Sequence, residues 1–406
     1  MSGEPARVAI LGATGSIGAS ALNVVRRHPD RFRVVALTAH RSAAALDTLA
    51  VELDPDLVCL TGGAPDGFEP RWAGEWRTDP DGCAAVSRLD GVDIVLNALV
   101  GIAGLRPTLA ALEAGKRLVL ANKESLVTGG GLVIDALEKG GGELLPVDSE
   151  HSAIHQCIAG RPVSEIARIT LTASGGPFRD WPLHRLAGIL PEDALVHPTW
   201  DMGAKITVDS ATLANKALEV IEAHVMFGIP YDRIDVVVHP TSIVHSFVEF
   251  RDGSCVAQLG RPTMEIPVLY ALAYPDRLDD AGDTRGFDPL RDGPLEFEEI
   301  RHDAFPLFAA GVAAGRAGGE QPVAFNAANE VAVEAFLRHQ IGFRELQTVV
   351  LRTLERFSGG VLGSWERIWE VDARARESAR AEVASLSRHD DPDAVAASRA
   401  DIHGES

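Results

Sequence analysis

The chain is 406 residues long and is short of basic charge, of lysine, of cysteine and of long apolar runs. Lys and Arg total 38 against 58 Asp and Glu, which leaves a formal net charge of −20. A protein that grips nucleic acid or an anionic membrane needs a basic face, so this balance argues against either as a general partner. A phosphorylated ligand would have to be met by a local positive pocket. The 4 cysteines (Cys59, Cys83, Cys157 and Cys255) form no CxxC and no zinc spacing. They read as scattered reduced thiols of a cytosolic protein. No apolar run approaches the ~18 residues of a spanning helix. The opening MSGEPARVAI has neither the charged nor the apolar region of a secretion signal. These absences together predict a cytoplasmic protein. Lysine is the scarcest charge, 5 residues against 33 arginines. Two of those lysines, Lys123 and Lys216, lie in polar motifs, where a compact ammonium differs from a guanidinium fork.

What is present is ordinary globular composition, 46% hydrophobic and 24% charged, in a chain long enough for two to three domains. Short apolar runs at 7–11, 33–37, 56–60, 93–99, 117–121 and 143–147 alternate with helix-length segments. Runs apolar on both faces predict a parallel sheet covered on both sides, a doubly wound α/β domain over 1–147. A helix from about Ser125 to Lys139 ends at the Gly140-Gly141-Gly142 cluster. From 148 to 272 the texture changes to strands at 167–174 and 234–240, and a hairpin of 243–250 with 254–260 around Arg251-Asp252-Gly253. One long helix, Ser210 to about Met226, interrupts them, which predicts an α+β catalytic domain. Residues 273–299 are rich in Asp, Gly and Pro and read as a linker. Helical periodicity at 303–316, 324–338, 342–357 and 364–386 predicts a C-terminal helical domain over 300–386, and 387–406 reads as a flexible tail.

Strand 7–11 runs into Gly12-Ala13-Thr14-Gly15-Ser16-Ile17-Gly18 and then a helix, a GxxGxxG variant of the Rossmann-like dinucleotide fingerprint. Glycines allow the tight turn and close approach to a pyrophosphate, and the helix N-terminus favours its negative charge. After the second strand an NAD site usually places an acid for the ribose hydroxyl. Here the chain reads His40-Arg41-Ser42. Arg41 and Ser42 suit a 2′-phosphate and favour NADPH; the alternative for Arg41 is a solvated loop residue, and the missing acid is the better clue. Strand 143–147 leads into Asp148-Ser149-Glu150-His151. In an extended segment Asp148 and Glu150 share a face, and hard oxygen ligands of this kind suit Mg²⁺ or Mn²⁺. Alone, such a pair is also a common solvated turn. In the helix from Ser210, Asn215, Lys216 and Glu219 lie at i,i+3 and i,i+4 spacing on one face. Thr172-Ala173-Ser174-Gly175-Gly176-Pro177 is a Gly-rich turn able to offer a hydroxyl and backbone N–H groups to an anion. His197-Pro198-Thr199-Trp200-Asp201-Met202-Gly203 has the punctuation of a lid. Each of these two segments also has a purely structural reading, and His239 and His245 read as structural.

Taken together, GATGSIG, ANKESLV, PVDSEHSAI, TASGGPF, HPTWDMGAKITVDSATLANKALEVIEA and FNAANEVAVEAFL closely resemble the 1-deoxy-D-xylulose 5-phosphate reductoisomerase family, over roughly residues 7–386. The resemblance implies three domains, a homodimer, NADPH and a divalent metal, Mg²⁺ or Mn²⁺ with Co²⁺ as a further candidate. It implies conversion of 1-deoxy-D-xylulose 5-phosphate to 2-C-methyl-D-erythritol 4-phosphate in the non-mevalonate isoprenoid pathway. It places Thr14, Gly15, Ser16 and Ile17 on the NADPH pyrophosphate, with Asn122, Glu124 and Gly203 also at the cofactor. It assigns Asp148, Glu150 and Glu219 to the metal. Lys123, Ser149, Ser174, His197, Ser210, Asn215 and Lys216 would hold the substrate, its phosphate mainly on Ser174, Ser210, Asn215 and Lys216. Trp200 and Met202 would sit on a flexible flap at about 197–205. His40-Arg41-Ser42 departs from the Gly-Lys/Arg-Asn that members often carry.

The implied chemistry is a carbon-skeleton rearrangement followed by hydride reduction, with Lys123 a candidate for orienting substrate oxygens or moving a proton. Retro-aldol/aldol cleavage and an α-ketol shift both fit. Two competing readings remain at this level. One is a semialdehyde- or sugar-type dehydrogenase, which in its thioester form needs an activated cysteine. The other is a dinucleotide sensor without turnover.

Overall fold

The computed structural model describes residues 4–158, 160–280 and 286–387; the tail expected beyond Ser387 lies outside them. The elements begin with β1 (Ala6–Leu11), α1 (Ser16–Arg27), β2 (Phe32–Ala39), α2 (Ala43–Leu53), β3 (Leu57–Leu60), β4 (Glu75–Thr78) and α3 (Gly82–Ser87). Next come β5 (Ile94–Asn97), α4 (Leu105–Glu113), β6 (Arg117–Leu120), α5 (Lys123–Gly140), β7 (Glu143–Pro146) and α6 (Ser149–Ile158). The middle of the chain holds β8 (Ile166–Ala173), α7 (Pro191–Ala194), α8 (Ala204–Thr212), α9 (Ala214–Phe227), β9 (Ile234–Val238), β10 (Val244–Phe250), β11 (Cys255–Leu259) and α10 (Glu265–Ala273). It closes with α11 (Pro306–Ala317), α12 (Glu320–Leu337), α13 (Phe343–Leu354) and α14 (Trp365–Leu386). Two compact units result. The first holds the residues before Thr170 together with Ile243–Gly293, and the second holds Thr170–Ser242 together with the residues from Pro294 on.

The first unit is built on a parallel seven-stranded sheet in the order β4-β3-β2-β1-β5-β6-β7. Val8 of β1 pairs with Val34 of β2 on one side and Ile94 of β5 on the other. Strands such as LVCL and IVLN are buried along their whole length, which is why they read as continuous apolar runs. The sequence reading lacked β4, EWRT, because this edge strand is mostly exposed and carries no apolar run. The chain steps outward from β1 to β4 and then returns to β5 beside β1. The loops after β1 and β5 therefore meet at the carboxyl end of the sheet, the switch point where ligands gather in such folds. Gly12, at φ +79°, turns there; a Cβ on it would lie 2.8 Å from the Ala98 carbonyl oxygen. Helix α10 is distant in sequence yet belongs to the same core, where Val268 and Leu272 join Ile10, Leu37 and Leu46. Arg27 of α1 pins it through Glu265 at 2.8 Å. The hairpin predicted around Arg251-Asp252-Gly253 is present as β10 and β11, with Phe247 opposite Ala257.

The second unit takes the end of β8, then α7, α8, α9, β9 and the four C-terminal helices. Helix α12 is apolar nearly all round and correspondingly buried, with Val323, Phe325 and Phe336 fully enclosed. Phe343 stands edge-on to both Phe336 and Phe178, with ring centroids 6.0 and 5.4 Å apart. The single helix expected from Ser210 to Met226 is in fact two, α8 and α9, broken at Leu213, whose φ is +59°. Ser210 consequently lies in the last turn of α8 and does not open a helix. Periodicity alone conceals the break, because Leu213 is a buried apolar residue on an uninterrupted helical pattern. Among the described residues no helix is long and apolar enough to cross a membrane.

Gly18 is where helix α1 touches the loop it follows, and a Cβ there would stand 2.6 Å from the carbonyl oxygens of both Gly12 and Ala13. Gly18→Ala is expected to lower stability by about 1–3 kcal/mol through overpacking, read as a fall in the urea midpoint. An unchanged midpoint would show that the loop moves aside at no cost.

Candidate active site

In the first unit, the loop after β1 presents Thr14, Gly15 and Ser16 exposed and Ile17 half-buried. Gly15 is the N-cap of α1 and supplies no side-chain cap, so the first-turn N–H groups are left to an anion. The loop is braced from β2, where Thr38 accepts the Gly12 N–H on Oγ1 at 3.2 Å and the Ala13 N–H on its carbonyl at 2.9 Å. Arg41 and Ser42 are exposed at the end of β2, and neighbouring His40 contacts Thr61 Oγ1 through Nδ1 at 3.0 Å.

Asn122 is fully buried at the entry to α5. Its amide donates to the carbonyls of Leu99 and Gly101 at 2.9 and 3.0 Å and to Glu124 Oε2 at 2.9 Å. It thereby fastens the loop after β5 to the helix that carries Lys123. Lys123, 6% exposed, forms an ion pair with Asp148. Asp148 and Glu150 are not in an extended segment, as the sequence suggested. Strand β7 ends at Pro146, and Ser149 opens α6. Asp148 therefore stands just before the helix, accepting the Ser152 N–H on its carbonyl at 2.8 Å, and Glu150 stands in the first turn. Carboxylates are favoured there by the helix dipole. Glu150 accepts from Ser149 Oγ at 2.6 Å, and its carbonyl accepts from Ser246 Oγ at 3.0 Å.

In the second unit, β8 delivers the turn Ser174-Gly175-Gly176, both glycines at positive φ. A Cβ on Gly176 would lie 2.8 Å from the Ser210 carbonyl oxygen, so this turn sits directly on the backbone of α8. His197 Nε2 lies 3.0 Å from Ser174 Oγ and 3.1 Å from Ser210 Oγ. Its Nδ1 accepts the backbone N–H groups of Thr199 and Trp200 at 3.1 and 2.9 Å. Because those N–H groups can only donate, Nδ1 carries no proton, and a neutral His197 must hold its proton on Nε2, aimed at the two hydroxyls. Burial pushes the His197 pKa down to about 4. One turn into α9, Glu219 is 1% exposed. Lys216 ion-pairs with its Oε2, and Asn215 donates to its Oε1 at 2.5 Å. Lys216 also donates to the Thr172 carbonyl at 2.5 Å. Of the flap residues, Trp200 and Met202 are half-buried and Gly203 is exposed.

The sequence reading missed a third lysine–carboxylate pair, Lys205 with the buried Asp209 at 2.8 Å. Asn329 from FNAANE donates to the other oxygen of Asp209 at 2.7 Å. The scarcity of lysine, 5 in the chain, is the signal that could have drawn attention to Lys205 beside Lys123 and Lys216. Burial pushes the Cys157 thiol up to about 11 and raises that of Cys255. A catalytic thiol would have a lowered value, so the thioester dehydrogenase reading loses its nucleophile.

The His197 value lies below the ~6.5 of an unfolded chain, so the stability tied to neutral His197 is complete above that pH and is lost as pH falls toward about 4. Imidazole ¹⁵N spectra at pH 7 are expected to show protonated Nε2 and unprotonated Nδ1, with no titration of this ring near pH 6.5. A ring that titrates at its ordinary value would contradict the double N–H cap on Nδ1.

Known proteins resemble this chain along most of its length. Models of 1-deoxy-D-xylulose 5-phosphate reductoisomerase match residues 8–130, of its C-terminal domain residues 144–227, and of the DXP reductoisomerase C-terminal domain residues 259–378. The 1-deoxy-D-xylulose 5-phosphate reductoisomerase of Gloeobacter violaceus is 46% identical over 384 residues, covering 92% of this chain and 96% of its own. That of Cupriavidus pinatubonensis is 49% identical over 387 residues, covering 92% and 97%. Among solved structures, the enzyme from Zymomonas mobilis in complex with NADPH is 40% identical, covering 94% of this chain and 100% of its own, with a TM-score of 0.86. A DOX-P reductoisomerase in complex with NADPH, fosmidomycin and magnesium is 38% identical, covering 95% and 100%, with a TM-score of 0.87. The chain belongs to the 1-deoxy-D-xylulose 5-phosphate reductoisomerase family.

Proposed function

We propose that the chain rearranges and reduces 1-deoxy-D-xylulose 5-phosphate to 2-C-methyl-D-erythritol 4-phosphate, using NADPH and a divalent metal, Mg²⁺ or Mn²⁺. The observation that carries the substrate class is the neutral His197, whose Nε2–H faces Ser174 and Ser210 beside a Gly-Gly turn. In a chain of net charge −20, these are donors without a carboxylate among them, as a phosphate requires. The break at Leu213 adds to this. It creates a second helix N-terminus at Ala214, and Asn215 and Lys216 lie in that first turn, where an anion is favoured. On this reading, substrate binding draws Asn215 and Lys216 from Glu219 to the phosphate.

The carboxylates of Asp148, Glu150 and Glu219 would hold the metal. The donor chemistry fits: all three offer hard oxygens, and Asp148 and Glu219 are already held against ammonium groups. When bound, the ion acts as a Lewis acid on the substrate's ketone and hydroxyl oxygens. Lys123, released from Asp148, would orient those oxygens or move a proton at Nζ. Thr14, Gly15, Ser16 and Ile17 would take the NADPH pyrophosphate, with Arg41 and Ser42 at its 2′-phosphate and Asn122, Glu124 and Gly203 also contacting the cofactor. Gly12 and Gly18 fit this role, because a side chain at either would collide with backbone and push the loop off its turn. Ser149 would complete the substrate contacts, and the flap at 197–205, with Trp200, would exclude water as it closes. We read the working form as a cytoplasmic homodimer, which sedimentation of the purified chain would test.

The direct experiment follows NADPH oxidation with 1-deoxy-D-xylulose 5-phosphate, with and without Mg²⁺ or Mn²⁺, and with NADH as control. Consumption that depends on metal and prefers NADPH is expected. Absence of turnover in protein that binds NADPH would return the question to the sensor reading. Glu219→Gln is expected to lower turnover by roughly 10²-fold or more while NADPH binding stays near wild type. Unchanged turnover would remove Glu219 from the metal. Arg41→Ala is expected to weaken NADPH by about tenfold, a charge-assisted bond's worth, and NADH hardly at all. An equal loss for both would end the 2′-phosphate assignment.

A further inference from the structure

Helix α8 is held at three points within the second unit. Its Ser210 backbone lies against Gly176 of the anion turn, and its Ser210 hydroxyl faces His197. On the helix face toward α12, the adjacent Asp209 is 1% exposed and receives Asn329 Nδ2 at 2.7 Å, with Lys205 one turn earlier at 2.8 Å. A carboxylate this deeply buried is costly unless charge and hydrogen bonds compensate it, so its partners fix where it sits. Because α8 stops at Leu213, its rotation is set by its own packing, through Val208 and Ala211, and by the anchored Asp209. The direction of the Ser210 hydroxyl then depends on the anchor next to it. Lys205 is the last residue of the flap as bounded above and already lies in the first turn of α8, so the same pair links the flap's C-terminal end to the buried Asp209.

The anchor is itself supported. Asn329 is fully buried on α12. One turn earlier Asn326 donates to Glu330 Oε1 at 2.9 Å, and Glu330 takes Arg376 of α14 at 2.5 Å. Arg376 reaches back to Asp372 at 2.7 Å. Two polar groups thus lie on α12 within an otherwise apolar helical layer, and the one at Asn329 meets Asp209, the neighbour of Ser210. The amide of Asn329 cannot be turned over without bringing its oxygen against the Asp209 carboxylate, so this bond has one orientation.

We infer that Asn329 and Asp209, with Lys205 as counter-ion, are positioning residues for substrate phosphate binding, acting through Ser210. The inference rests on the assignment of Ser210 to the phosphate. None of the three is assigned to substrate, cofactor or metal. Removing the anchor would turn Ser210 out of line with His197 while leaving the dinucleotide loop, in the other unit, untouched.

The test compares Asn329→Ala, the exchange Asp209→Asn with Asn329→Asp, and Ser210→Ala in the full-length enzyme. Asn329→Ala is expected to raise KM for the phosphorylated substrate about tenfold, a buried hydrogen bond's worth, with kcat within roughly threefold of wild type and NADPH affinity unchanged. The exchange restores an amide–carboxylate bond with donor and acceptor reversed and is expected to bring KM most of the way back. A merely structural role would instead lower Tm without moving KM, and that result in Asn329→Ala would overturn the inference. An exchange with KM well above wild type would overturn it too, and it decides the matter even if Asn329→Ala does not fold. Ser210→Ala separates the two levels. If it leaves KM unchanged, the phosphate assignment itself fails. If it raises KM while Asn329→Ala does not, only the positioning role is lost.

Discussion

A carboxylate that leaves water must be met by a cation or by several donors, and breaking a buried pair costs about 3–5 kcal/mol because the remaining charge is stranded. That constraint organises much of what surrounds the candidate site. Asp148 is held by Lys123, Asp209 by Lys205 and Glu219 by Lys216. These are three of the five lysines in a chain whose other ion pairs mostly use arginine, as at Arg26–Glu52 or Arg356–Glu382. The difference is chemical. An ammonium is a compact point charge that can be given up to a metal or an anion, whereas a guanidinium fork holds its carboxylate by two fixed bonds.

The same economy explains the broken helix. A continuous helix from Ala204 to Phe227 would have run its carbonyls and N–H groups into one another through Leu213. The break frees a new set of first-turn N–H groups beside Asn215 and Lys216, at the expense of a left-handed leucine, which costs roughly 1–2 kcal/mol. Burial of the Leu213 side chain offsets that strain by about 1.5–3 kcal/mol. The left-handed turn is therefore sustained by packing and does not need a glycine.

His197 shows how one ring can serve two segments. The two backbone donors on Nδ1 fix the start of the flap and, by elimination, fix the proton on Nε2. Burial keeps the ring neutral. On the proposed assignment, a neutral donor facing two hydroxyls would bind a phosphate oxygen without adding a positive charge that has to be desolvated at every turnover.

The doubly wound sheet was legible in the sequence because each of its inner strands is buried on both faces and spelled as an apolar run. The glycine loop was legible because its backbone turn admits almost no other residue. The edge strand β4 was not, since an exposed strand needs no apolar side chains. The residue types of the candidate site, and the lysine shortage that marks them, could be read directly. Their geometry could not. Asp148 and Glu150 read as an extended pair and prove to flank a helix start, because a three-residue polar segment has no periodicity to decide between the two. Asn329 and Asp209 lie 120 residues apart, and no local pattern links them. Local order and chemistry are properties of adjacent residues, so the sequence by itself determined the dinucleotide loop, the acidic and basic partners available and the helical C-terminal layer. Which carboxylate meets which ammonium, where the helix breaks and which way Ser210 faces depend on contacts between distant segments, and only the tertiary structure decided them.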